Sequence, residues 1–102
     1  MDAIAPGQDE AARREHFGLL RAELEALLEG QSDWISAMAT VACELHQAHE
    51  HFHWTGFYRL VQPELLRVGP YQGGHGCLEI ELSRGVCGAA ARTKHTQLVA
   101  DV

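Results

Sequence analysis

The sequence has few basic residues and no long apolar segment. Eight Lys and Arg stand against 14 Asp and Glu in 102 residues, a net charge of −6 with neutral histidines. Because no basic cluster could follow a phosphate backbone, we expect no nucleic-acid partner. No run of about 18 apolar residues could span a membrane, and Met1–Gln8 lack the features of a secretory signal. We therefore expect no membrane association and a cytoplasmic location.

Cysteine is scarce as well. Cys43, Cys77 and Cys87 are an odd number of thiols in a chain without a secretory signal, so thiol chemistry is a better candidate than a disulfide framework. The glycine motifs that bind nucleotides and the nucleophile-elbow motif are also absent. With 46% hydrophobic and 22% charged residues, the composition is typical of one globular domain with a packed core.

Two amphipathic helices are predicted in the first half of the chain. Apolar residues recur at steps of three and four from Phe17 to Leu28, with Asp9 as a candidate N-cap and Gly30 just past the end. Ser32 is the candidate N-cap of the second helix. We predict helices at about 9–29 and 32–50, a flexible arm over 1–8, and a partial domain over 9–102 with strands from about 53.

The second half alternates with a period of two, which is typical of strands. The predicted strands are His53–Val61, Leu65–Val68, Cys77–Leu82 and a fourth that begins at Gln97–Val99. Gly69 and Pro70 are expected to end or bulge the second strand, and a short helix is predicted at Gly85–Arg92. This order predicts an α+β fold in which helices pack on an antiparallel sheet.

Cys77 and Cys87 are the candidate reactive groups. Both lie among glycines and near Arg84, and Cys87 falls in the first turn of the predicted short helix, where the helix dipole favours a thiolate. The alternative is that each is a small buried hydrophobic residue, the interpretation that we give to Cys43.

Trp54 and Tyr58 occur four residues apart on the first predicted strand and therefore share a face. They could form the aromatic wall of a ligand pocket, or they could belong to the core. Four nearby histidines, at 46, 49, 51 and 53, could approach a metal ion, but a solvated helix end is the preferred interpretation because their directions diverge.

Three blocks of sequence carry a resemblance to a known family. They are Trp54-Thr55-Gly56-Phe57-Tyr58, Gly69-Pro70-Tyr71-Gln72-Gly73 and Gly85-Val86-Cys87-Gly88. In order and spacing they resemble the free methionine-(R)-sulfoxide reductases, which are GAF-domain enzymes. The resemblance implies a GAF-like antiparallel sheet with helices on its faces, incomplete in this chain, and a cytosolic homodimer that reduces the free amino-acid sulfoxide.

The resemblance also implies roles for four residues. Cys77 would be the resolving thiol, Cys87 an auxiliary or recycling thiol, and Trp54 and Tyr58 would bind the substrate. It implies no metal and no resident cofactor, with the thioredoxin system as reductant.

The chain departs from the family at the nucleophile. The family's attacking cysteine follows a His-Ile-Ala segment well beyond the position of Cys87, and the 102 residues contain neither. Glu79 and Glu81 also place negative charge beside Cys77, which should slow thiol exchange. We therefore expect an amino-terminal portion of a reductase that is inactive alone; the alternative is a noncatalytic GAF module that binds a small molecule or dimerises.

Overall fold

The structure, a computed structural model, describes residues 9–100. The predicted arm over residues 1–8 lies outside the described residues. The elements, in chain order, are α1 (Glu10–Leu28), α2 (Trp34–Gln47), β1 (Trp54–Gln62), β2 (Leu65–Gly73), β3 (Glu79–Glu81) and α3 (Gly85–Thr93). The strands form one sheet in the order β1-β2-β3. The predicted α+β class is confirmed.

The chain falls into two compact units. Of the described residues, the first contains those from 9 to 57 together with Gly69–His75, and the second contains Tyr58–Val68 and those from 76 to 100. The helices α1 and α2 therefore belong to the first unit, and β3 and α3 belong to the second. Within residues 9–100, no helix has the length and apolar character needed to cross a membrane.

Carboxylate side chains cap both long helices at their amino ends. The Asp9 Oδ1 accepts a 2.8 Å hydrogen bond from the Ala12 N–H, as predicted. For α2 the cap is Asp33 rather than the predicted Ser32: its Oδ1 accepts from the Ile35 N–H at 2.9 Å. A carboxylate satisfies the free N–H groups and also interacts favourably with the positive end of the helix dipole.

The second helix ends earlier than predicted, at Gln47 rather than near residue 50. The cause is His49, whose Nδ1 lies 2.7 Å from the Leu45 carbonyl oxygen. That oxygen would otherwise accept the N–H of His49 in a continuing helix, and this N–H instead bonds to the carbonyl of His46 at 3.4 Å. The imidazole thus replaces the next helical hydrogen bond.

Small and apolar residues make the core of each unit. In the first unit, Leu20 of α1 and Ala42 of α2 are 3% and 1% exposed. In the second unit, Leu66 of β2 is buried. Complete burial of one such leucine contributes about 1.5–3 kcal/mol to folding.

The strands differ from the prediction in three places. β2 continues through Pro70 to Gly73. Proline is tolerated within this strand because β3 pairs only with Leu65–Arg67, so the missing N–H of proline removes no hydrogen bond to β3. β3 is shorter than predicted, so that Cys77 precedes it in a loop. Residues 97–99 form no strand.

Candidate functional site

Trp54, at the start of β1, stacks against a second aromatic ring. Its indole faces the ring of Tyr71 on β2, with the ring centroids 5.3 Å apart and the planes inclined by 23°. Both side chains are half-buried. This offset-stacked geometry is one that aromatic pairs prefer. Tyr71 belongs to one of the family blocks in the sequence, but its contact with Trp54 was not predicted.

Gly56 provides the space that this stack occupies. A Cβ atom at residue 56 would lie 2.3 Å from the Tyr71 Cβ and 2.6 Å from the outer edge of the Trp54 indole. Gly73 is restricted in a similar way: its φ is +110°, and a Cβ there would lie 2.3 Å from the His53 carbonyl oxygen. No other residue fits either position without movement of its neighbours.

A hydrogen bond ties α2 to β1 beside the stack. The His46 Nδ1 lies 3.0 Å from the Thr55 Oγ1, and both groups are partly buried. Thr55 sits between Trp54 and Gly56 in the sequence, so this bond restrains the stretch of β1 that carries the indole. Of the four clustered histidines, His46 therefore has a positioning role in β1.

His49 is buried among aromatic rings rather than solvated. It is 4% exposed, and its ring stacks on Phe52 with a centroid distance of 4.2 Å and on Phe17 with 5.3 Å. The prediction of a solvated helix end is therefore wrong for His49. The phenylalanines at 17 and 52 are the features of the sequence that could have indicated a buried position. Among residues 9–100, no group of three or more potential metal ligands converges.

Tyr58 bonds to the backbone next to the first candidate thiol. Its hydroxyl donates a 2.8 Å hydrogen bond to the Cys77 carbonyl oxygen. Tyr58 is half-buried, whereas Cys77 is exposed and has a free thiol. Tyr58 therefore holds the loop that carries Cys77, a role that sequence reasoning did not predict.

Cys77 borders an open cleft of about 410 Å³ in the second unit. The lining residues are Leu65, Cys77, Glu79, Ile80, Glu81, Arg84 and Gly85. Both carboxylates beside the cysteine have cationic partners, since Glu79 lies 2.9 Å from Arg67 and Glu81 lies 3.8 Å from Arg84. The negative charge that the sequence places near Cys77 is thus partly compensated.

Cys87 is the third residue of α3. It is exposed and its thiol is free, so the alternative of a small buried residue is wrong for both candidate thiols. The N-cap Arg84 makes no side-chain hydrogen bond to the first turn. At Gly88, next to this thiol, α3 approaches β3 so closely that a Cβ would lie 2.8 Å from the Glu81 carbonyl oxygen.

The third cysteine has a different environment. Cys43 lies on α2, is half-buried, and accepts a hydrogen bond at its Sγ from the Gln47 Nε2 at 3.2 Å. Its position inside a helix and its lower exposure agree with the structural role predicted for it.

One carboxyl group between the first two helices has a perturbed pKa. Burial of Glu44 on α2 raises its pKa, and a hydrogen bond and charge repulsion from Glu23 on α1 raise it further. Together with Leu20, Gln47 and Ala48, the two carboxyl groups line a small cavity of about 190 Å³. This pair lies in the first unit and was not predicted from the sequence.

The chain resembles solved GAF structures over nearly all of its length. A GAF sensor protein from Burkholderia vietnamiensis matches with a TM-score of 0.80 and 35% identity, over 86% of this chain and 55% of that one. No protein-family model matches the chain. The described residues therefore have a GAF fold.

Within that class, the chain is similar to free methionine-R-sulfoxide reductases. It is 31% identical to the enzyme of Escherichia coli over 90 residues, which is 88% of this chain and 54% of that protein. It is 36% identical to the enzyme of Saccharomyces cerevisiae over 76% of this chain and 47% of that protein. The reductase of Neisseria meningitidis, solved in complex with its substrate, matches all of this chain and 60% of its own with a TM-score of 0.78 and 31% identity.

The predicted resemblance is thereby confirmed. The chain spans about half the length of the curated relatives it matches.

Proposed function

We propose that the protein is a GAF-type reductase of free methionine-(R)-sulfoxide, and that these 102 residues supply its aromatic binding wall and two of its thiols. The observation that carries the proposal is the match, over all of this chain, to a reductase solved with its substrate. The stacked indole of Trp54 and the two exposed thiols agree with the roles that the family resemblance implies.

The proposed reaction transfers one oxygen atom in three steps. A cysteine thiolate attacks the sulfoxide sulfur, the oxygen is protonated, and methionine leaves while the cysteine becomes a sulfenic acid. A second thiol attacks the sulfenic sulfur, which forms a disulfide and releases water. The thioredoxin dithiol then reduces that disulfide by exchange and becomes oxidised itself.

Cys77 is the proposed resolving thiol and Cys87 the auxiliary or recycling thiol. Exchange requires that the attacked sulfur be reachable, and the exposure of both residues supports these roles. No cysteine follows Cys87 among the 102 residues, and the family's nucleophile is therefore not in this chain. We expect the 102 residues to bind the sulfoxide without turning it over.

The remaining parts of the proposal concern partners and location. We propose thioredoxin as the reductant, a homodimer as the assembled form, and the cytoplasm as the compartment, because the thioredoxin system that recycles the disulfide is found there. Light scattering on the purified chain tests the dimer, and a monomer at high concentration would contradict it.

Titration calorimetry tests the proposed ligand. We expect heat of binding with free methionine-(R)-sulfoxide and weaker binding of the S epimer, and a Trp54→Leu variant should reduce the affinity about tenfold through loss of the aromatic contact. If the R epimer gives no heat while a cyclic nucleotide does, the proposal is wrong and a noncatalytic GAF module is correct.

Thiol reactivity tests the proposed roles of the cysteines. With a thiol reagent under native conditions, we expect Cys77 and Cys87 to react before Cys43, because only Cys43 lies half-buried in a helix. Single-cysteine variants assign each kinetic phase of the labelling reaction to one cysteine. Faster labelling of Cys43 than of the other two would contradict the assignment.

A further inference from the structure

The Trp54 indole stacks on an aromatic ring and fills the space beside a glycine. Its outer edge occupies the volume that a side chain at residue 56 would need, because a Cβ there would lie 2.6 Å from the ring. The same Cβ would lie 2.3 Å from the Tyr71 Cβ. Trp54, Gly56 and Tyr71 therefore share one packed volume in the first unit.

Neither ring belongs to the deeply buried core. Both Trp54 and Tyr71 are half-buried, so a strand side chain at either position could adopt other rotamers if nothing restrained it. The stacked contact, with its 5.3 Å centroid distance, favours the observed rotamer over the alternatives by about 2- to 12-fold. Tyr71 thus restrains the indole, and the absence of a side chain at Gly56 leaves the space that the indole occupies.

We propose that Tyr71 is a positioning residue that fixes the Trp54 indole in the orientation in which it contacts the sulfur end of a methionine-sulfoxide ligand. The inference rests on the proposed function for its ligand. Contacts between sulfur and aromatic rings depend on where the sulfur lies relative to the ring edge, so an indole that samples several rotamers binds such a ligand less well. Tyr71 need not touch the ligand to have this effect.

Two variants separate aromatic stacking from simple filling of space. Tyr71→Phe keeps the ring, whereas Tyr71→Leu keeps an apolar side chain but removes the ring plane. Both are made in a Trp34→Phe background, which leaves Trp54 as the single tryptophan; Trp34 is 79% exposed. Far-ultraviolet circular dichroism and urea denaturation confirm that each variant is folded.

The first readout is the motion of the indole without ligand. Time-resolved fluorescence anisotropy should show a larger fast component for Trp54 in the leucine variant and an unchanged one in the phenylalanine variant. The second readout is the dissociation constant for methionine-(R)-sulfoxide, which we expect to rise about 3- to 10-fold with leucine and to stay unchanged with phenylalanine.

The two readouts distinguish failure of the inference from failure of the proposed function. If folded Tyr71→Leu leaves both the anisotropy and the affinity unchanged, Tyr71 is not a positioning residue. If it frees the indole without changing the affinity, the orientation of the ring does not serve the ligand, and the inference is overturned while the proposed function stands. If the protein with Tyr71 intact binds no sulfoxide, the proposed function fails, and the anisotropy alone decides whether Tyr71 orients the indole.

Discussion

The surroundings of Trp54 and those of the two exposed thiols are built in opposite ways. The indole is stacked on Tyr71 and fills the space that Gly56 leaves free, so its position follows from close packing. Cys77 lies in a loop and Cys87 in the first turn of a helix, and both residues are exposed with free thiols. Packing density therefore differs between the group proposed to hold an orientation and the groups proposed to meet a partner.

The difference follows from the chemistry proposed for each region. Binding gains affinity when the contact surface is already ordered before the ligand arrives. Disulfide exchange instead needs an approach to the sulfur along the S–S direction, which a tightly packed thiol does not permit. One small fold thus provides both kinds of environment, each within its own compact unit.

The largest change in stability is expected from a substitution at Gly56. Gly56→Ala places a methyl group 2.3 Å from the Tyr71 Cβ and 2.6 Å from the indole, so the stack must separate. We expect a loss of about 1–3 kcal/mol in the free energy of unfolding, measured by urea denaturation.

Gly74→Ala is the matched control for this change. Gly74 lies nearby in the chain, has open space around its Cα and no positive φ, and should change the stability little. Equal effects at the two glycines would show that the region around Trp54 is not tightly packed.

A smaller effect is expected at Gly88, which tests the packing under the thiol-bearing helix. A Cβ there would lie 2.8 Å from the Glu81 carbonyl oxygen, and the backbone cannot yield as a side chain can. Overpacking outweighs the better helix propensity of alanine, and we expect a net loss of about 1 kcal/mol by thermal or urea denaturation. Gly18→Ala in α1 is the control, since its open surroundings predict a gain of similar size. Stabilisation by both variants would contradict the close contact of α3 with β3.

The sequence predicted the local signals better than the long-range contacts. The Asp9 cap and the left-handed Gly30, with φ +78°, follow from rules that involve only neighbouring residues. The end of α2 was predicted wrongly because it depends on the side chain of His49 and on the aromatic rings around it. Periodicity carries no information about such contacts.

Long-range contacts within the candidate site could not be predicted from the sequence either. The residue pattern and the family resemblance identified Trp54, Tyr58, Cys77 and Cys87 as the residues of interest. The Trp54–Tyr71 stack and the hydrogen bond from Tyr58 to the Cys77 carbonyl join residues 17 and 19 positions apart, and only the three-dimensional structure brings those atoms together.

The hydrogen bond between His46 and Thr55 should contribute less than the glycine contacts. A double-mutant cycle with His46→Ala and Thr55→Val should give a coupling energy of about 0.5–1 kcal/mol, typical of a partly buried hydrogen bond. The indole signal of Trp54 in near-ultraviolet circular dichroism should weaken in either single variant, because the bond restrains the adjacent strand. Zero coupling with an unchanged signal would show that packing alone orders this part of β1.

The smallest expected effect is a pH dependence of the stability, which arises from carboxyl groups on α1 and α2. The folded-state pKa of Glu44 is raised, chiefly by burial and then by Glu23, so the folded state binds this proton more tightly than the unfolded state does. The resulting stabilisation is complete below the ordinary Glu pKa of about 4.3 and is lost as the pH rises through the raised pKa.

Glu44→Gln should remove this slope and raise the stability at neutral pH by about 0.2–0.5 kcal/mol, since it abolishes a repulsion between like charges. Urea denaturation between pH 4 and pH 7.5 measures it, with a buffer series at constant ionic strength because salt screens the repulsion. Glu23→Gln should give a similar gain, and the double variant should gain less than the sum because either change removes the same repulsion. Additive gains, or a slope that persists in Glu44→Gln, would show that the two carboxyl groups do not interact and that the pH dependence of this region has another source.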